Sequence, residues 1–489
     1  MSRTSLEQNH AAPTPGSGRA GPAAALGRRE VIMPTLIVVS GALMSTIANS
    51  ALNTALPALT TEFAVSPATI AWVTIGPGLT QAALVTVFGR LSDVHGRTAL
   101  YACGIAVTVI GSILCGLSST IELLLGSRVL QGVGGAMVVA NSVAYLLEVY
   151  PRDRRGFVVG AWEACIATGL GIGPVVGGVL LGAFGWQSIF FASAAFGALL
   201  LALIPRFMRE LPRARARQSF DFIGALSFAA ALAPLMFALS KGHDIGWTSL
   251  PIIVCLAIGG LALLAFIGTE RRVADPMVDL TLFRSRGFSA GNLAKVCAYF
   301  GFAGNAFLLP FYWDRVLHLA PATLGLVLTA SPVGMLIGSA VFGPLSDRIG
   351  TRILAPAGLL LVAGAAAIQT QVVAEMGYQP VLAAALLGGL GIGAFIAPND
   401  SAILSVTPRD KLGVANGIMS VSRTLGMLAG QSMVAGLLTA RLVVHGGEFT
   451  PSYHEAFLLV VVVTLTGLAL AAVRDPRPRA MDSPAAQVV

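Results

Sequence analysis

Apolar residues come along this chain in long unbroken runs, each near the ~20 residues an α-helix needs to cross a bilayer. Such runs recur at about 32–57, 69–89, 99–119, 121–146, 157–183 and 187–205, then at 222–240 and 250–268. Six more follow at about 287–312, 322–343, 353–373, 380–404, 413–440 and 455–473. The pattern predicts an all-α polytopic membrane protein with 14 transmembrane helices. The first run is too long for the apolar part of a cleavable signal and reads as the first span. Residues 1–30, rich in Ala, Pro, Gly and Ser, have no hydrophobic period and are expected to form a disordered tail.

Positive charge orients the bundle. With the N-terminus inside, Arg90, Arg97, Arg152, Arg154 and Arg155 fall in inner loops, as do the RELPRARARQ run and Arg348, Arg352, Arg409 and Lys411. Only Lys241, Arg315 and Arg441 fall in outer loops and three more lie within spans, which leaves 25 of the 31 basic residues inside. Both termini are therefore expected in the cytoplasm, and the protein in the cell (inner or plasma) membrane.

Composition sharpens the exclusions. Charged residues make up 11% of the chain, against ~25% in a soluble domain. The net charge of +8 resides between apolar runs, so it marks topology and does not point to nucleic acid. Five cysteines (Cys103, Cys115, Cys165, Cys255, Cys297) lie in apolar runs without metal-ligand spacing and are expected to be small packing residues. No HExxH-type motif, His/Asp/Glu cluster or Walker A loop is present, which argues against an enzyme, a metal, a cofactor or ATP drive.

An internal repeat organises the runs. Shifted by 254 residues, Pro67–Leu100 lies on Pro321–Leu354 with 12 of 34 positions identical and no gap. YPRDRRG (Tyr150–Gly156) echoes TPRDKLG (Thr407–Gly413). Six helices would fill only ~190 residues, so two helices stand between the repeats. The expected plan is a tail at 1–30, a six-helix bundle at 31–206, two inserted helices with basic linkers at 207–286, a second six-helix bundle at 287–473 and a tail at 474–489. Parallel repeats of this kind place a binding site at their interface. The inserted pair, with no spanning charge and no motif, is expected to be peripheral to it.

Three segments carry a resemblance. GRLSDVHGRTAL (Gly89–Leu100), between spans 2 and 3, resembles motif A of the major facilitator superfamily, and Gly343–Arg352 is its second copy. Gly89 and Gly96 permit a tight turn, and Asp93 can accept hydrogen bonds or pair with Arg97. In that family the loop latches the cytoplasmic face; Gly343, Asp347 and Gly350 repeat it here. SRVLQGVGGAMVVA (Ser127–Ala140) is similar to motif B, with Arg128, Gln131 and Gly132 in place. Arg128 lies roughly 12 Å into span 4 at ~1.5 Å per residue, where a charge needs a partner or a wet cavity. It either tunes a carboxylate or contacts substrate, or it is a structural arginine tied to backbone carbonyls. ATGLGIGPVVGG (Ala167–Gly178) is similar to motif C, a mark of antiporters in that family. Gly169, Gly173 and Gly177 share one face, Gly178 follows, and Pro174 permits a kink. The whole set resembles the fourteen-helix drug:proton antiporter branch. The resemblance implies a multidrug-efflux type of transporter, working as a monomer on amphipathic small molecules and protons, with the proton gradient as energy source.

One departure bears on mechanism. The branch's helix-1 motif, LDxTIVNVALP, reads IANSALNTALP here (Ile47–Pro57), so its aspartate position is Ala48. Of the acidic residues only Glu163 and Asp400 fall clearly inside a span. Glu163, roughly 9 Å into span 5, is the first candidate for a proton site, because burial and a nearby arginine pull a carboxylate's affinity for protons in opposite directions. Asp400 is the second; otherwise it pairs with Arg423 or caps a helix broken at Pro398. Arg128, Lys295 and Arg423 are the spanning cations, an excess that favours neutral, zwitterionic or anionic amphiphiles over dications. Asn53, Trp162, Tyr299, Phe302, Phe307 and Arg423 are candidates for a cavity lining. The reading is a proton-driven exporter; an uncoupled facilitator or a flippase for a lipid-like metabolite is the alternative that Ala48 keeps open.

Overall fold

A computed structural model of the protein describes residues 28–150, 155–208, 222–271, 280–318, 320–408 and 411–473. Among these residues there is no β-strand, and 16 α-helical segments follow one another. The first group is α1 (Arg28–Glu62), α2 (Pro67–Ile70), α3 (Trp72–His95), α4 (Arg97–Gly116), α5 (Ile121–Val149), α6 (Arg155–Phe184) and α7 (Gln187–Phe207). Next come α8 (Phe222–Ile245) and α9 (Leu250–Glu270). The last group is α10 (Arg286–Arg315), α11 (Pro321–Leu328), α12 (Ala330–Ile349), α13 (Thr351–Gln369), α14 (Gln379–Ser405), α15 (Leu412–Val444) and α16 (Phe449–Ala472). Thirteen described stretches are long and apolar enough to cross a membrane. Helix α8, several of whose side chains lie outside the described residues, is the predicted span that this number does not include.

Local chemistry sets the helix ends. Thr120 and Ser285 each accept a backbone N–H of the first turn, from Leu123 and Phe288 respectively, a side-chain cap that satisfies a free donor. Helices α3 and α12 both stop at a glycine of positive φ, Gly96 at 101° and Gly350 at 92°, where an L side chain would be strained. These are repeat-related positions. The two motif-A turns therefore share one backbone solution.

The packing differs at the two ends of the bundle. At the end remote from Gly96 and Gly350, one hydrophobic core draws on both halves: Leu52 and Leu56 of α1, Ile75 of α3, Phe307 and Phe311 of α10, Leu324 of α11 and Leu438 of α15. At the Gly96/Gly350 end the cores are separate. One holds Val38, Tyr101, Tyr145 and Ile204 from the first half; others hold Leu359 and Phe395, or Phe288 and Ile418, from the second. The halves are joined at one end and open at the other.

Of the two inserted helices, α8 is held against the bundle and α9 packs chiefly on α8. Helix α8 packs on α15 of the second half and on α3 of the first. Lys241 Nζ donates to Thr69 Oγ1 at 2.6 Å, and Phe237 lies 6.0 Å from Trp72, ring to ring. Helix α8 thus lies against the seam between the halves, a position that its sequence, lacking spanning charges and motifs, did not announce.

Candidate functional site: the opening between the halves

The site grows from prolines inside membrane helices. Proline lacks an N–H, so the carbonyl four residues earlier loses its helical donor, and lipid supplies none. Pro77 of α3 frees the Val73 carbonyl, and Arg128 Nε of α5 donates to it at 2.7 Å. Gly132, one turn on, lets α5 approach: a Cβ there would stand 2.8 Å from the Cα and carbonyl of Pro77. The guanidinium is 2% exposed and gives its other donors to neutral oxygens, Gln131 Oε1 at 2.5 Å and Asn49 Oδ1 at 2.8 Å. Gln131 Nε2 in turn donates to Ser112 Oγ at 2.6 Å, and the Phe190 ring stands 5.8 Å from the guanidinium. Asn49 is exposed and directly follows Ala48, so an amide of α1 is what meets Arg128.

Pro174 of α6 repeats the arrangement. It frees the Leu170 carbonyl, which accepts from Ser50 Oγ of α1 at 3.0 Å. The motif-C glycines pack along α1: Gly169 faces Thr46, Gly173 faces Ser50 and Gly177 faces Thr54. Their neighbours turn to the other half. A Cβ at Gly178 would strike the Pro321 carbonyl and one at Gly325 the Pro174 carbonyl, so α6 and α11 touch backbone to backbone. Ala68 N–H donates to Thr439 Oγ1 at 3.0 Å and Thr74 Oγ1 to Gln431 Oε1 at 3.3 Å, which closes the other side of the same seal.

In the second half, Lys295 of α10 and Asp400 of α14 form an ion pair at 2.8 and 3.0 Å. The lysine, not Arg423, is the partner of Asp400; facing helices, unlike helical period, are invisible in a single sequence. Asn399 Nδ2 donates to the Gly291 carbonyl at 3.1 Å and Ser422 Oγ to Asn292 Oδ1 at 3.1 Å, extending a polar seam across α10, α14 and α15.

The remaining candidates scatter. Trp162 is packed in the first half's core, and Phe307 is fully buried in the core shared by both halves. Tyr299 stands edge-on to Phe302 at 6.4 Å, and Phe302 lines a small cleft with Asn305, Ser331 and Ile392. Asn53 is half-buried one turn beyond Asn49. Arg97 reaches Glu148 at 3.3 Å. Glu163 falls on α6, but its side chain, like those of Asp93 and Asp347, lies outside the described residues. Among the described residues no group of His, Cys, Asp or Glu side chains is placed to hold a metal ion.

A family model described as the Major Facilitator Superfamily matches residues 38–275 and 292–488. The chain belongs to this superfamily. Its relatives there include "Multidrug resistance protein Stp" of Mycobacterium tuberculosis (strain ATCC 25618 / H37Rv), 32% identical over 80% of this chain and 72% of that one. "Tetracenomycin C resistance and export protein" of Streptomyces glaucescens is 28% identical over 89% of this chain and 80% of its own length. "Riboflavin transporter RibZ" of Clostridioides difficile (strain 630) is 29% identical over 89% and 95%. Among solved structures, a bacterial homolog of the human lysosomal transporter Spinster, in an inward-facing and unoccupied conformation, superposes with a TM-score of 0.67 at 15% identity, over 91% of this chain and 96% of that one. As a superfamily member the protein is a multi-pass membrane transporter of small molecules, not an enzyme. Its Arg128, Gln131 and Gly132 constellation, read in sequence as motif B, is here a clasp around Pro77.

Proposed function

We propose that the protein exports amphipathic small molecules in exchange for protons, by alternating access. The observation that carries this reading is the unequal packing of the two ends: one core shared by both halves at one end, separate cores at the other. With both termini cytoplasmic, as the basic loops indicate, the open end faces the cytoplasm and the protein rests ready to load from inside. Two halves enclose a complete path, so a monomer suffices. Relatives named for multidrug resistance and for tetracenomycin C export support an outward direction. Glu163 on α6, the helix that also carries motif C, is the proton site; Asp400, beside the opening, is the second carboxylate able to respond to a proton. No cofactor takes part, and the proton gradient supplies the energy.

A second reading has its own support. Ala48 removes the helix-1 carboxylate, Asn49 stands in for it on Arg128, and a relative is named as a riboflavin transporter. These favour an uncoupled facilitator or a flippase for an amphipathic metabolite. Dye accumulation in inside-out vesicles separates the two. Proton exchange requires accumulation that appears with an imposed pH gradient and collapses with a proton–potassium exchanger; dye movement indifferent to the gradient selects the facilitator.

A further inference from the structure

Three cations stand within the spans, Arg128, Lys295 and Arg423, and they are met in three different ways. Arg128 is held by neutral oxygens and Lys295 by Asp400. Arg423 is half-buried and has no hydrogen bond or ion pair among the described residues.

The position of Arg423 follows from its neighbours on α15. Ser422 bonds Asn292 of α10, and a Cβ at Gly426 would stand 3.0 Å from Tyr299 Cβ, so the α10–α15 contact runs along Ser422 and Gly426. Arg423 sits at the edge of that contact. Lys295 is one turn beyond Asn292, hence within a turn of the level of Arg423. Away from the contact the helix is open: Asn416, Gly417 and Ser420 are exposed, and nothing lies within 4 Å of a Cβ at Gly417. Further along, Gln431 accepts from Thr74 of the first half where the halves are sealed, so Arg423 lies roughly 12 Å from that seal, toward the end with separate cores.

A guanidinium within a membrane span is retained where it has work or a partner, and its planar fork matches carboxylate, phosphate and sulfonate oxygens. We propose that Arg423 receives an anionic group of the transported molecule, with the neighbouring Lys295 adding to the positive field, so that anionic amphiphiles are preferred over uncharged ones of the same shape. This rests on the opening being the substrate cavity. Asp400 remains on Lys295, whose side chain is 7% exposed and offers an incoming anion little access.

Two fluorescent probes that differ by one group test it: 1-anilinonaphthalene-8-sulfonate and the uncharged N-phenyl-1-naphthylamine, titrated against the full chain in phosphatidylcholine nanodiscs. The wild type is expected to bind the sulfonate about tenfold more tightly than the uncharged probe, the worth of one charge-assisted hydrogen bond. Arg423→Gln, checked for folding by its unfolding midpoint, brings the sulfonate down to the uncharged probe's affinity, and Arg423→Lys keeps part of the preference. Added phosphatidylglycerol that competes with the sulfonate identifies the anion as a lipid headgroup; absence of competition identifies a free amphiphile, and either supports the site. Equal affinity of the wild type for both probes, or sulfonate binding untouched by Arg423→Gln, overturns the anion site and leaves the cavity standing. Saturable binding of neither probe overturns both.

Discussion

Lys295 and Asp400 join α10 to α14 through an ion pair whose ends stand in different surroundings, the lysine 7% exposed and the carboxylate 28%. Any proton or solvent that reaches the pair reaches the carboxylate. Neutralising Asp400 would leave the ammonium enclosed without a counter-charge, which is the costly way to break a buried pair.

Asp400→Asn should therefore destabilise the protein by about 3 kcal/mol, the low end for a buried pair because the carboxylate is partly wet. Adding Lys295→Met, which removes the stranded charge, should return most of that loss. Unfolding of the purified variants in detergent measures both; a single variant as stable as the wild type would show that the pair holds nothing.

Arg128→Met should cost about 2 kcal/mol, since it leaves the Val73 carbonyl without a donor in a span. Pro77→Ala restores an N–H to that carbonyl and should recover about 1 kcal/mol of the loss in the double variant. Strictly additive effects in the cycle would mean that Arg128 and Pro77 are not coupled through Val73.

Gly178→Val places a branched side chain against the Pro321 carbonyl, where α6 and α11 touch backbone to backbone. The joined end should be forced apart, with transport reduced at least about tenfold, since an interface this tight is bistable and does not stretch. Thiol labelling of a cysteine at Thr439, which otherwise accepts from Ala68 N–H, should rise in parallel. Unchanged labelling would show that the seal does not depend on this contact.

The fold was legible because lipid imposes one rule, a run of about 20 apolar residues per span, and because the repeat put Gly96 on Gly350. Helices exceeded the apolar runs: the first run, about 32–57, became α1 from Arg28 to Glu62, since a helix need not end where the hydrocarbon does. The site was legible only in part. Arg128 and Gln131 were placed together by their i, i+3 spacing, and the motif-C glycines by i, i+4. Which helix faces which was not: Lys295 opposite Asp400, and α8 against both α3 and α15, have no trace in period or spacing. One further signal lay in the prolines. A proline within a membrane span announces a carbonyl in need of a donor, and Pro77 and Pro174 lead through it to Arg128 and Ser50.

Proton-coupled export is tested most directly by proton flux in proteoliposomes holding the purified protein, with a lipophilic dye added, for the wild type and Glu163→Gln. Dye-evoked proton movement is expected in the wild type and its loss in Glu163→Gln, with the variant still folded and still binding dye. Dye flux that ignores both the pH gradient and the substitution would contradict it, and would leave the chain a facilitator or flippase on the same fold.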